Sequence, residues 1–225
     1  MRTLLLLLPA LILSGQTAPA PKSAAVVKTA APAKTPAPTA NFKEMGSSTA
    51  TVTMEVYADY ECPSCGVFFR SIVPDLIALY INTGKIKFLH RDFPLTHIHQ
   101  HAQMAARYAN AAGELGFYDL AVTQIYKTQD EWSQYGKNTG DIDGELVKVL
   151  PPGAMQKVRD LVKTDARLLD EGIKKDYDMG VNLDRVNGTP TVILVSKGKR
   201  DVIGMASSLP LNIWKSYLDA KLAGQ

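Results

Sequence analysis

Between Val52 and Ala58 the chain alternates. Val52, Met54, Val56 and Ala58 are separated by Thr53, Glu55 and Tyr57, the period-two pattern of a strand. Beyond Asp59-Tyr60-Glu61, which reads as a turn, the period changes. Val67, Phe68, Ile72, Leu76, Ile77 and Tyr80 recur at helical spacing and predict a helix from Pro63, a residue tolerated in a first helical turn. Pro74 is expected to bend that helix. From Leu95 to Val181 helical patterns dominate. Ala102, Ala105, Ala106, Ala109 and Ala112 form a small-residue face suited to close packing, and Leu120, Ile125 and Tyr126 fit another helix. After Pro151-Pro152-Gly153, the residues Met155, Val158, Val162, Leu169, Ile173 and Tyr177 keep helical spacing over a long segment. These faces read as core rather than chemistry.

The N-terminus has a different texture. Arg2, then Leu4–Leu8 and Leu11–Leu13 around Pro9, make a positive start and an apolar run far shorter than the roughly 20 residues of a membrane-spanning helix. Residues 1–20 therefore read as a secretory signal peptide, with several small residues offering cleavage sites. No cysteine follows the apolar run, which disfavours lipid attachment. From Ala18 to Ala40 nine residues are Ala and five are Pro, with lysines interspersed. Such a stretch cannot build a core and favours extended conformations, so residues 21–48 read as a linker.

Composition narrows the classes. At 225 residues, 46% hydrophobic and 21% charged, the chain is neither disordered nor polytopic, and it suits one sizeable domain with an insertion. The net charge of +3 belongs to the tail. Arg2, Lys22, Lys28, Lys34 and Lys43 lie in residues 1–43 with no acidic partner, leaving 20 basic against 22 acidic residues beyond. A body of about −2 lacks the positive field that sequence-independent nucleic-acid binding requires.

The two cysteines stand in Cys62-Pro63-Ser64-Cys65. A structural staple across two residues would close a tiny loop and remove little unfolded-chain entropy. Redox exchange suits the spacing better: one thiolate forms a mixed disulfide, and a second thiol one helical turn away resolves it. Cys62 would lie at a helix N-terminus, where unsatisfied amides favour a thiolate. Cys65 would face inward. The rival reading is zinc, using the pair with His90, His97, His99 or His101, but no second clustered ligand pair exists, and we expect no metal and no cofactor.

From these residues outward, the chain resembles the DsbA branch of the thioredoxin superfamily. The resemblance runs through most of residues 51–222. It takes in the strand leading through Asp59-Tyr60-Glu61 to the cysteine pair, and a second strand, Lys85–Phe93, ending in Arg91-Asp92-Phe93-Pro94-Leu95. It continues through His99-x-x-Ala102-x-x-Ala105-Ala106, Gln129-Asp130-Glu131-Trp132, and Val186-Asn187-Gly188-Thr189-Pro190-Thr191 before the apolar Val192–Val195. It implies an α/β thioredoxin fold, with residues 49–95 and 183–225 as core and 96–182 as a helical insertion. The core would resume at Thr191–Val195, followed by an edge strand near Asp201–Ile203 and a C-terminal helix carrying Leu211, Ile213, Trp214, Tyr217 and Leu218. It also implies that Thr189-Pro190 is a cis peptide packed beside the cysteines, and proline is the residue for which that isomer is accessible.

Catalytic Cys62 and Cys65 would then be supported by Glu61, Pro63, Ser64, Thr189 and Pro190. Many relatives place a buried acid six residues before the first cysteine. Here Val56 occupies that position, and alternation puts Glu55 on the opposite face. Proton transfer at Cys65 is left to water, Glu61 or another group, and Glu61 reads equally as a solvated loop carboxylate. His99 suggests packing or capping at a helix start, while His97 and His101 read as exposed.

The expected function is an exported, periplasmic or otherwise extracytoplasmic, dithiol oxidase. It would act as a monomer on unfolded or reduced exported proteins, be recycled by a quinone-linked membrane oxidase, and bind no nucleic acid. The alternatives are a reductase or isomerase, or a peptide-binding holdase.

Overall fold

In the computed structural model, residues 41–224 are described; the leader and most of the linker expected from the sequence lie outside them. The alternating segment is strand β2 (Val52–Ala58), and a parallel partner, β3 (Ile86–Asp92), lies beside it with Val56 opposite His90. The connection between them is helical, as a parallel pair requires. It breaks into α1 (Pro63–Ser71), α2 (Val73–Leu76) and one π-helical turn, Ile77–Ile81. The break falls at Ile72, two residues before Pro74, because Pro74 lies in the first turn of α2, where its missing N–H costs nothing. This run is apolar enough by composition to cross a membrane. Cys65, Phe68, Val73, Leu76 and Tyr80 are nevertheless buried in the core, the ordinary condition of a core helix.

Six helices follow before the chain returns to the sheet: α3 (Ala102–Glu114), α4 (Tyr118–Lys127), α5 (Gln129–Trp132), α6 (Ile142–Leu146), α7 (Pro152–Thr164) and α8 (Ala166–Asn182). The alanine face of α3 is fully buried, with α4 and α7 packed near it, since methyl side chains let helix backbones approach closely. Strand β4 (Thr191–Ser196) then runs antiparallel to β2, and β5 (Lys199–Ile203) pairs antiparallel with β4 at the edge. A closing helix, α9 (Leu211–Leu222), buries Trp214 and Leu218. Trp214 packs against Phe68 of α1, ring centroids 5.6 Å apart.

One element departs from the linker expected to reach residue 48. Residues 44–46 form strand β1 (Glu44–Gly46), antiparallel to β3, so the sheet order is β1-β3-β2-β4-β5. Phe42 packs on Tyr118, and the buried Lys43 ammonium donates to Asp92 (2.5 Å) and to Asp176 of α8 (2.8 Å). Two apolar residues in a short polar run carry no periodic signal. Partners distant in sequence, not local pattern, create this strand.

The sheet has two covered faces. Val52, Met54, Val56 and Ala58 join the large core under α1, α3 and α4. Tyr57 and Ile193 face the other way, with Phe93, Val186 and Tyr177. Because β4 is antiparallel to β2, its first residue, Thr191, is paired with Tyr57 near the end of β2 that leads to Cys62.

Candidate active site

Cys62 is the N-cap residue of α1, with extended backbone (φ −65°, ψ 121°), and Pro63 occupies the first turn. The residue is 8% exposed, and its sulfur lies 3.5 Å from the Thr189 carbonyl, to which the S–H can donate. Pro63 and Ser64 are exposed, whereas Cys65, one turn on, is fully buried. The Thr189-Pro190 peptide is cis. Both cysteines are free thiols.

Their surroundings separate the two acidities. A hydrogen bond from Cys65 favours the Cys62 anion above all; burial opposes it, and the thiol falls from an ordinary 9.0 to about 6. Burial, then the hydrogen bond to Cys62, pushes the Cys65 thiol well up. At neutral pH the outer sulfur is therefore mostly thiolate and the inner one a thiol. An anion at the helix N-terminus is also where the unpaired amides and macrodipole place favourable potential. The Asp59 backbone N–H donates to Cys65 Sγ at 3.5 Å, giving that buried sulfur a donor if it becomes an anion.

Of the residues singled out in the sequence, Cys62, Pro63, Ser64, Cys65, Thr189 and Pro190 converge here. Glu61 does something else. Its carboxylate is fully buried, accepting from the His101 N–H (2.6 Å) and the Gln134 N–H (2.8 Å). It ties the cysteine loop to the start of α3 and to the segment after α5, and is not a solvated carboxylate. Val56, at the position of the missing acid, is buried in the core, and Glu55 on the other face pairs with Arg91 and Arg200.

The histidines diverge. His99 neither caps nor simply packs; its Nδ1 lies 2.7 Å from Asp59 Oδ2, with both side chains buried. Burial disfavours the imidazolium, yet Asp59 outweighs it and raises the His99 pKa. His97 is exposed, and His101 is partly exposed beside Gln100 and Asn138. His90 is buried and neutral, its pKa pushed down to about 3 first by burial and then by the charge of Lys43. The His90 ring nitrogen Nδ1 contacts Tyr118 Oη (2.7 Å) and Tyr60 Oη (3.2 Å). Among the described residues no cluster of three or more His, Cys, Asp or Glu side chains is arranged to hold a metal.

Gln129 is the residue that pattern reading missed as part of the site. Its amide nitrogen donates to the carbonyls of Tyr60 (2.6 Å) and Cys62 (3.1 Å), while Oε1 accepts from Arg70 (3.0 Å). A Cβ on Gly66 would lie 1.8 Å from Gln129 Oε1, so the glycine is what lets α5 approach α1 here. The only sequence signal was its place in the Gln129-Asp130-Glu131-Trp132 run.

Comparison with known proteins agrees with this geometry. The family model described as Thioredoxin matches residues 39–201, more than half of the chain. Disulfide bond formation protein D of Bacillus subtilis is 25% identical over 162 residues, covering 68% of this chain and 67% of that protein. A stretch of 86 residues is 37% identical to part of the Na(+)/H(+) antiporter NhaA 3 of Salinispora tropica, covering 38% of this chain but 13% of the antiporter. This chain thus spans only a small part of that relative's length. The crystal structure of alpha-DsbA1 from Wolbachia pipientis shares the fold, with a TM-score of 0.64 and 21% identity over 81% of this chain and 91% of that one. By the family-model match, which covers the sheet and the cysteine-bearing helix, the chain belongs to the thioredoxin family.

Proposed function

We propose that this protein is an extracytoplasmic dithiol oxidase that transfers its Cys62–Cys65 disulfide to reduced exported proteins. The observation that carries the reading is the asymmetry of the pair: an outer sulfur biased to thiolate at a helix N-terminus over an inner one kept protonated. In the oxidised enzyme a substrate thiolate attacks Sγ of Cys62. A bond forms between those two sulfurs as the Cys62–Cys65 bond breaks, and its electron pair leaves on Cys65 Sγ, which faces the Asp59 N–H. A second substrate thiolate then attacks the substrate sulfur of the mixed disulfide and expels Cys62 as thiolate. The substrate leaves oxidised and the enzyme holds two reduced cysteines. A stabilised Cys62 thiolate favours that reduced enzyme, and so the oxidising direction.

Pro63 and Ser64, next to the attacked sulfur, are exposed where a substrate chain would approach. The backbone at Thr189, beside Cys62, supports pairing with an extended substrate segment in the manner of strand addition. The apolar leader and the Ala/Pro-rich linker support export, and a quinone-linked membrane oxidase is the class of partner that would restore the disulfide. The protein acts as a monomer in this reading.

Equilibration with glutathione redox buffers tests the direction. A potential more oxidising than about −200 mV is expected, whereas one as reducing as about −270 mV, the range of thioredoxin, overturns the oxidase assignment. Cys62→Ser separates exchange from binding. Loss of oxidase activity with no residual suppression of aggregation is expected, whereas suppression that persists identifies a holdase.

A further inference from the structure

The backbone of Asp59 reaches both cysteines. Its N–H donates to Cys65 Sγ (3.5 Å), and its carbonyl accepts from the Cys62 N–H (3.2 Å). Its carboxylate is completely enclosed, which is costly for a charge unless it is paired and hydrogen-bonded. It is both. Oδ1 accepts from the Glu61 N–H (2.7 Å), and Oδ2 accepts from the Leu95 N–H (2.7 Å) and faces His99 Nδ1 at 2.7 Å. The turn into the cysteine motif is thus held from the far side by a histidine 40 residues away along the chain.

We infer that Asp59 and His99 form a buried ion pair that positions the Cys62–Cys65 loop and cancels the carboxylate charge that would otherwise oppose the Cys62 thiolate. Both are positioning residues: the hydrogen bonds of the carboxylate and of imidazole Nδ1 go to backbone amides and to each other, not to the reacting sulfurs. The carboxylate of Asp59 by itself disfavours a second negative charge at Cys62. Opposite it, the imidazolium interacts favourably with Asp59, the Cys62 thiolate and Glu61, and the Tyr135 ring, from the segment after α5, lies nearly perpendicular to it at a centroid distance of 5.6 Å. Glu61 spends its two oxygens on the backbone amides of His101 and Gln134. His99 is therefore the cation that makes a buried acid compatible with an anionic sulfur three residues on. In the catalytic cycle its effect falls on Cys62 as the leaving group of the second step, while the Asp59 N–H serves Cys65 as the leaving group of the first.

This assignment rests on the thiol-exchange reading, and the test separates the two. His99→Asn keeps an N–H donor near the Nδ1 position but removes the cation, Asp59→Asn removes the anion, and the double variant removes both. In the reduced proteins, the ionisation midpoint of Cys62 is followed by thiolate absorbance and by alkylation rate against pH, and folding by circular dichroism. His99→Asn is expected to raise the midpoint by about one unit, a roughly tenfold loss of thiolate below it, and to make the disulfide more reducing. Asp59→Asn removes the anion and with it the main support for the His99 charge, so its midpoint lies at or below the parent's, and the double variant returns close to the parent. An unchanged midpoint in folded His99→Asn, or single variants that move it in the same direction, overturns the inference, because a purely structural pair has no sign. If instead the parent exchanges no disulfide with glutathione while the midpoints still move as stated, the exchange reading falls and the pairing stands.

Discussion

At the scale of single residues, the chemistry is a division of labour between two identical side chains. Cys62 sits where a helix begins and keeps a small exposed fraction; Cys65 sits one turn deeper and is fully enclosed. The reduced protein should accordingly be alkylated at Cys62 with a rate that rises around pH 6, far below an ordinary thiol, while Cys65 stays unreactive in the folded state. Mass mapping of the labelled cysteine against pH checks this, and a midpoint near 9.0 would remove the basis of the proposed activity. The cysteine pair was legible because its chemistry is local: two thiols two residues apart, a strand before and a helix after. The Asp59–His99 contact was not, since its partners lie 40 positions apart and nothing in either segment's periodicity links them.

At the scale of elements, contacts between helices and strands distant in sequence stiffen the site. Gly66 on α1 gives way to Gln129 of α5, whose amide bridges the carbonyls of Tyr60 and Cys62. Gly66→Ala gains helix propensity of roughly 1 kcal/mol but places a methyl group inside the Gln129 side chain. A net loss of about 1–3 kcal/mol in denaturant unfolding is expected, together with a changed Cys62 alkylation rate. A fully neutral result would mean that the bridge is dispensable.

The short strand β1 teaches a second lesson about elements. Lys43 stands between the Asp92 and Asp176 carboxylates, and Arg91 reaches Asp176 as well. Lys43→Met leaves buried carboxylates uncompensated, so unfolding free energy should drop by about 3–5 kcal/mol near neutral pH. Urea denaturation reads the change, and a loss below about 1 kcal/mol would show that the pair does not hold this end of the sheet. Composition alone placed residue 43 in a linker, because a lysine's burial depends on acids supplied by β3 and α8.

Across the whole molecule, the ionisation of one sulfur couples to global stability. Cys62 has a folded pKa near 6, below the ordinary thiol value of 9.0 taken for the unfolded chain. The stabilisation is therefore complete above the unfolded value and is lost as pH falls through the folded one. Between pH 5 and 8 the reduced protein should gain about 2–3 kcal/mol relative to Cys62→Ser, most of it above pH 6. Chemical denaturation of both proteins at several pH values, under reducing conditions, measures that difference directly. A flat difference would mean that the thiolate is no more favoured in the folded chain than in the unfolded one.

Sequence by itself determined the strand entering the cysteine motif, the helix leaving it, the small-residue face of α3 and the two-residue spacing of the cysteine pair. Each is a property of neighbours along the chain, where periodicity, a proline and a two-residue spacing act directly. Tertiary structure alone decided that the turn at Asp59 is braced by His99, that Gln129 reaches across to Cys62, that Glu61 is buried as a tie between segments, and that residues 44–46 join the sheet. Those outcomes depend on where a buried charge or an unpaired amide finds its partner. That partner is chosen by packing in three dimensions, through segments whose local patterns carry no record of one another.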